Sequence, residues 1–215
     1  MTPVTSHRQP SQLGVPARVW ETMLAIERMA ESWMIPDKPF DHSYGRLPGE
    51  TEIRAWSISR GSGCFLLSLC RLLRPRVILE IGTSFSYSTL WLACGAPEAE
   101  VHTIELLPEK IEIARGNVVS SGLTNIRLHE GDAIRVTKDW NIPVDLLFLD
   151  ADPENYIYYF QHLLPCFNSG TVLIMDNALN HREQTCAFMD HVHRLDEWTS
   201  WIHPLDNGLF LAFQR

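Results

Sequence analysis

The feature that most constrains this chain is an alternation. From residue 77 onward, short continuous apolar runs of strand length take turns with segments of helical pattern. The runs are VILEI (77–81), VHTIE (101–105), IRLHE (126–130), VDLLFLD (144–150) and TVLIMD (171–176). The helical segments are STLWLAC (88–94), PEKIEIARGNVVSS (108–121), ENYIYYFQHLL (154–164) and REQTCAFMDHVHRL (182–195). A strand that is apolar on every residue, not on every second one, is covered on both faces, which is the mark of a parallel sheet in an α/β fold. TSWIHPL (199–205) and GLFLAF (208–213) come last, joined only by Pro204 to Asn207, so they form an antiparallel hairpin. The expected fold is Rossmann-like and doubly wound. It has a mostly parallel seven-stranded sheet, a C-terminal antiparallel hairpin and N-terminal helices.

Ahead of this core, residues 1–14 read as a disordered tail of Pro, Ser, Thr and Gln. Val19, Trp20, Met23, Leu24, Met29, Ala30 and Trp33 then recur at helical spacing, with Pro16 at the start and Ile35-Pro36 closing the helix. DKPFDHSYGRLPGE (37–50) is a turn-rich loop, and a second helix covers roughly Ser62 to Leu73. The division expected is one domain over residues 15–215, with a helical cap (15–75) and a core (76–215).

The net charge of −8, with 18 scattered basic residues, excludes a nucleic-acid partner, since phosphate binding needs clustered Lys and Arg. Five cysteines without CxxC or metal spacing read as reduced thiols of a cytoplasmic protein. No apolar run reaches membrane-spanning length, and the first residues lack a signal-peptide pattern.

In a doubly wound sheet, ligands bind beyond the carboxyl ends of the strands. The stretch EIGTSFSYS (80–88) turns from first strand to helix at that end. The dinucleotide fingerprint GxGxxG fails here, because its glycine positions hold Gly82, Ser84 and Tyr87. The missing second glycine matters only if a pyrophosphate must approach the backbone. S-adenosylmethionine has none, and its cationic sulfonium and ammonium suit an acid such as Glu80. Glu105 ends the second strand, 23 residues beyond Gly82, where an acid accepts from ribose hydroxyls. Asp132 follows the third strand, within reach of an adenine amino group; as an isolated residue it reads equally as a helix N-cap.

Strand four ends in Asp150 and strand five in Asp176-Asn177. Adjacent strands lie about 4.8 Å apart, so these side chains converge. Two carboxylates and an amide are hard oxygen donors suited to Mg²⁺ or another divalent cation. Two facing acids without a cation repel, although Asp176 and Asn177 also fit a plain helix cap.

VILEIGTSFSYSTLWLA, the stretch from VHTIE to HEGDA, and VDLLFLDADPENYIYYFQHLLPCFNSGTVLIMDNAL together resemble the metal-dependent O-methyltransferases of the catechol and caffeoyl-CoA group. The resemblance runs from about Ser57 to the C-terminus and is weakest over 180–203. It implies that Gly82, Ser84 and Ser88 line the methionine part of S-adenosylmethionine, that Glu105 binds ribose and that Asp132 and Ala133 meet adenine. It implies further that Asp152 lies near the cofactor, that Asp150, Asp176 and Asn177 bind the metal, and that a homodimer is possible. The implied reaction is methyl transfer to a hydroxyl of a small catechol-like or natural-product acceptor.

Two positions depart from that pattern. Ser86 stands where the group has glycine, so this residue is expected to need an unusual backbone angle. Pro153 stands where the group has a lysine taken as the base. His181, four residues past Asn177, is the candidate replacement. Pro153 also motivates a rival reading, a cofactor-binding protein of the same fold without the chemistry. An NAD-dependent oxidoreductase is a further alternative, permitted by Glu105 and opposed by the missing glycine.

Overall fold

A computed structural model describes residues 10–32 and 55–215. Residues 1–9 of the expected tail, the Ile35-Pro36 helix end and the 37–50 loop lie outside them. Residues Pro10–Leu13 form a short helical turn, α1. Two longer helices follow, α2 (Ala17–Ser32) and α3 (Arg60–Leu73). The alternating core is β1 (Val77–Ile81), α4 (Tyr87–Gly95), β2 (Glu100–Glu105), α5 (Pro108–Ser121), β3 (Ile126–Glu130), α6 (Ala133–Lys138), β4 (Val144–Leu149), α7 (Tyr156–Leu163), β5 (Phe167–Met175), α8 (Arg182–His193), β6 (Trp198–His203) and β7 (Leu209–Gln214).

The seven strands lie in the order β3-β2-β1-β4-β5-β7-β6. The first five are parallel, and β7 is antiparallel to both β5 and β6. The chain leaves β1 for β2 on one side and later returns to place β4 on the other. That reversal opens a crevice at the carboxyl ends of β1 and β4.

Alternation along each strand builds two cores. Ile78, Leu146, Phe148 and Ile174 point to one face and join Val19, Met23 and Ile26 of α2, Leu66 and Leu67 of α3, and Leu90 and Trp91 of α4. Leu79, Ile81, Leu147, Leu149, Leu173 and Met175 point to the other, against Phe160 of α7 and Phe188 of α8. Fully burying each such side chain contributes roughly 1.5–3 kcal/mol, so the sheet's position between the two layers is strongly fixed.

Three expectations need correction. α6 is a helix where no apolar period announced one; Asp132 caps it, with Oδ1 accepting from Ile134 N at 2.8 Å. β5 begins at Phe167, four residues before the apolar run, because its first turn pairs irregularly with Val144. The strand expected over 199–205 ends at His203, and its Trp201 is 48% exposed: β6 is an edge strand, and Trp201 faces outward against Phe213.

Candidate active site

Register sets the site. Ile81 pairs with Leu149, and Leu149 with Met175. The next residues along these strands, Gly82, Asp150 and Asp176, therefore share one row at the carboxyl edge. Asp150 N donates to Ile81 O and Asp176 N to Leu149 O, both at 3.0 Å, which carries the ladder one step past the strands.

The turn after β1 is built on crowding. Gly82 has φ +103°, and a Cβ there would lie 2.1 Å from the Asp150 carbonyl oxygen, so only glycine fits. Ser84 (φ +48°) and Ser86 (φ +67°, ψ 19°) also adopt left-handed backbone. The unusual angle expected at Ser86 is thus present, and costs on the order of 1 kcal/mol or more for a residue with a Cβ. Ser86 is buried and gives its hydroxyl to Phe85 O at 2.6 Å.

Glu80 sits beneath this turn, wholly buried. Its carboxylate accepts from Ser88 Oγ at 2.5 Å, from Thr103 Oγ1 at 2.6 Å and from Thr89 Oγ1. Thr103 spends its proton on Glu80, so Thr83, 2.5 Å away, donates to Thr103. Burial pushes the Glu80 carboxyl up to about 7, against the pull of three hydroxyls and with the push of Glu105. The carboxylate is enclosed by hydroxyls and braces the turn from below. Ser88 faces the same carboxylate.

Glu105 ends β2 and gathers three backbone donors. Its Oε1 accepts from Leu106 N and Leu107 N at 3.0 Å, and its Oε2 from Ser84 N at 2.8 Å. The acid after β2 thereby ties down the turn after β1. The Ser84 hydroxyl is buried and has no hydrogen-bond partner among the described residues. Ala133 opens α6 directly after the Asp132 cap, beyond β3.

Asp152 caps the 3-10 turn Pro153–Asn155, accepting from Glu154 N at 3.3 Å and Asn155 Nδ2 at 2.6 Å. Pro153 fits as the first residue of that turn, where its missing N–H costs nothing. The buried Tyr156 hydroxyl steadies the segment, accepting from Ala151 N at 3.0 Å and donating to Ala151 O at 2.9 Å.

Asp150, Asp176 and Asn177 do come together. Asn177 Nδ2 donates to Asp150 Oδ1 at 3.3 Å. Burial raises the Asp150 carboxyl well above its usual range, and Asp176 and Glu80 raise it further, while Lys110 opposes them. Burial also pushes Asp176 up to about 6, tempered by the Asn177 backbone N–H and reinforced by Asp206. Among the described residues no group of three His, Cys, Asp or Glu forms a metal-binding cluster; the donor set here is two carboxylates and an amide. His181 stands at the start of α8, its backbone N–H donating to Asn177 O at 3.1 Å.

Several participants gave no sequence signal. Lys110, in the first turn of α5, is buried, with Nζ 5.0 Å from the Trp56 ring centroid. Burial lowers its pKa, while Glu105 and Asp150 pull it back up. Thr83, Thr89 and Thr103 looked like ordinary turn, helix and strand residues. Asn207, in the β6–β7 turn, donates from Nδ2 to Asn177 Oδ1 at 3.3 Å.

Fold and site together define a doubly wound α/β protein with an acid-rimmed crevice at its topological switch point. Residues 47–193 match the family model described as O-methyltransferase. The catechol O-methyltransferase of Mycobacterium tuberculosis is 31% identical over 157 residues, covering 72% of this chain and 71% of the relative. That of Niastella koreensis is 34% identical over 136 residues, covering 60% and 62%. The Bacillus cereus O-methyltransferase, solved in complex with SAH, superposes with a TM-score of 0.74 at 23% identity, over 96% of this chain and 95% of that one, which shows the shared fold. The chain belongs to the O-methyltransferase family, and its enzyme class is that of the S-adenosylmethionine-dependent O-methyltransferases. No described helix is long and apolar enough to cross a membrane.

Proposed function

We propose that this chain transfers the methyl group of S-adenosylmethionine to a hydroxyl of a small catechol-like or natural-product acceptor, assisted by a divalent cation such as Mg²⁺. The observation that carries the reading is the Asp150–Asn177–Asp176 constellation. Two carboxylates disfavoured as anions by burial, one of them accepting from the Asn177 amide, form a donor set that a hard cation would relieve. That two relatives are named catechol O-methyltransferase supports the acceptor class.

On this reading Asp150, Asp176 and Asn177 hold the cation. When bound, it would lower the pKa of the acceptor hydroxyl and stabilise the oxyanion. The chain's own residues do the rest. Gly82, Ser84 and Ser88 shape the methionine end, with Glu80 holding Ser88 from beneath. Glu105 orients the ribose, Asp132 and Ala133 the adenine, and Asp152 borders the cofactor. Positioning donor and acceptor in line is worth several kcal/mol by itself. With Pro153 in the usual lysine position, His181 is the candidate proton acceptor. Residues 15–215 would work as one domain, with the helices before residue 76 as its cap.

Pro153 also supports the rival, a cofactor-binding protein without methyl transfer. Thermal unfolding with S-adenosylmethionine, S-adenosylhomocysteine or NAD, each with Mg²⁺ or chelator, separates the readings, because a ligand raises the midpoint of the state it binds. A rise with the methionine cofactors is expected. A rise with NAD alone would overturn the proposal. Methyl transfer to a catechol panel then decides between enzyme and binding protein. His181→Gln should lower kcat with little change in KM if His181 takes the proton.

A further inference from the structure

The loop that carries Asp176 and Asn177 is held from outside its own helix. Ala178 N donates to Gly208 O at 2.9 Å, and Leu179 N and Asn180 N donate to Asn207 O at 2.9 and 3.3 Å. A Cβ on Gly208 would come within 2.9 Å of Leu179 N, so the β6–β7 turn lies directly on the loop. The turn is anchored in its own right, since Asp206 accepts from Ser62 N at 3.1 Å, Ser62 Oγ at 2.8 Å and Ser59 Oγ at the start of α3. From this anchored turn the Asn207 side chain reaches Asn177.

The orientation of the two amides is what matters. Asn177 gives its nitrogen to Asp150 and its oxygen to Asn207. A cation accepts only oxygen. To serve one beside Asp150, Asn177 must turn its amide by half a revolution. Amide O and NH₂ occupy similar space, so the turn changes hydrogen-bond partners and little else. Asn177 Nδ2 would then face Asn207, which must offer an oxygen in place of its nitrogen. An asparagine at 207 does so by turning as well; an apolar residue cannot.

We propose that Asn207 is a positioning residue for the cation site: it pairs with Asn177 in either orientation, so the Asn177 amide keeps this partner when its oxygen turns toward a cation beside Asp150. The proposal rests on the divalent-cation reading above. Residues of this kind, which orient a ligand without touching the ion, typically change metal affinity about 10–100-fold when lost.

The test is a double-mutant cycle read by Mn²⁺ binding to the full chain, using calorimetry or electron paramagnetic resonance. Asn207→Leu should weaken binding at least about tenfold. In an Asn177→Asp background the same change should cost less than about threefold, because a carboxylate presents oxygen whichever way it turns. Asn207→Asp, which keeps an acceptor, should bind at least as tightly as the parent. Equal losses in both backgrounds would reveal a merely structural role and overturn the proposal, as would undiminished binding by Asn207→Leu. A parent chain that binds no Mn²⁺ would overturn the cation reading itself. If Asn207→Leu does not fold, judged by circular dichroism, Asn207→Ala replaces it in the same cycle.

Discussion

The two ends of the crevice treat their carboxylates in opposite ways. At β1 and β2 the acids are provided for: Glu80 receives three hydroxyls and Glu105 three backbone N–H groups. At β4 and β5, Asp150 accepts from the Asn177 amide and interacts with Asp176, and both acids are driven above their usual range. The first end is a finished support that fixes the turn after β1. The second leaves its acids with fewer donors at the place where chemistry is proposed, although burial raises Glu80 at the first end as well, to about 7. Catalytic sites commonly hold such groups, because a group satisfied by the protein has little left for a ligand.

The largest effect should come from removing charge at the second end. Asp176 titrates at about 6 when folded, against an ordinary 3.8. A raised acid binds its proton more tightly in the folded state, so stability falls as pH rises from 3.8 through 6 and stays lowered above that. At pH 8 in chelator, Asp176→Asn should therefore stabilise the chain, by on the order of 2–3 kcal/mol on the size of the shift. Methyl transfer should fall at least about a hundredfold. Urea unfolding beside a methyl-transfer assay measures both. A destabilised Asp176→Asn chain would erase the contrast between the two ends.

Glu80 gives the next effect, and it asks whether a provided-for acid is free of such cost. Its folded value of about 7 lies above the ordinary 4.5. Stability should thus decline between pH 4.5 and 7, by up to about 3 kcal/mol. Glu80→Gln should flatten that part of the urea profile. Glu105→Ala comes third. Leaving three backbone donors without an acceptor should cost about 2 kcal/mol, and cofactor affinity should drop at least about tenfold. A variant that binds cofactor like the parent would remove the ribose assignment.

How far the sequence reached follows the same division. The central strands β1, β2 and β4 were legible because both faces of each are buried, so apolar runs mark them nearly residue for residue. Gly82, Glu105, Asp150 and Asp176 were legible because a parallel sheet delivers strand ends to one edge. The supports were not. Nothing local shows that Ser88, Thr89 and Thr103 meet on Glu80, or that Thr83 backs Thr103. Lys110 reaches the site only through the path of α5, and Asn207 through a hairpin about 30 residues from its partner Asn177. α6 escaped notice because six residues hold too little period to read.

The smallest effect supplies a control away from the crevice. His102 on β2 and His129 on β3 meet at 2.8 Å, Nδ1 to Nε2, with Trp140 edge-on to both rings. Burial lowers both pKa values, His129 lowers that of His102 further, and Glu100 opposes the change in each. Lowered histidines resist protonation in the folded state. Their contribution is therefore complete above pH 6.5 and is lost as pH falls below it, opposite in sign to that of Glu80. Partial exposure of His129 screens the effect, so it should stay under about 1 kcal/mol. His102→Leu should reduce the loss of stability between pH 6.5 and 5 while leaving the decline above pH 5 that Glu80→Gln abolishes. Because the pair sits apart from Asp150 and Asp176, Mg²⁺ should not alter its response. A Mg²⁺-sensitive histidine step would mean that the β4–β5 end is coupled to the far side of the sheet, and the carboxylate contrast could no longer be treated as local.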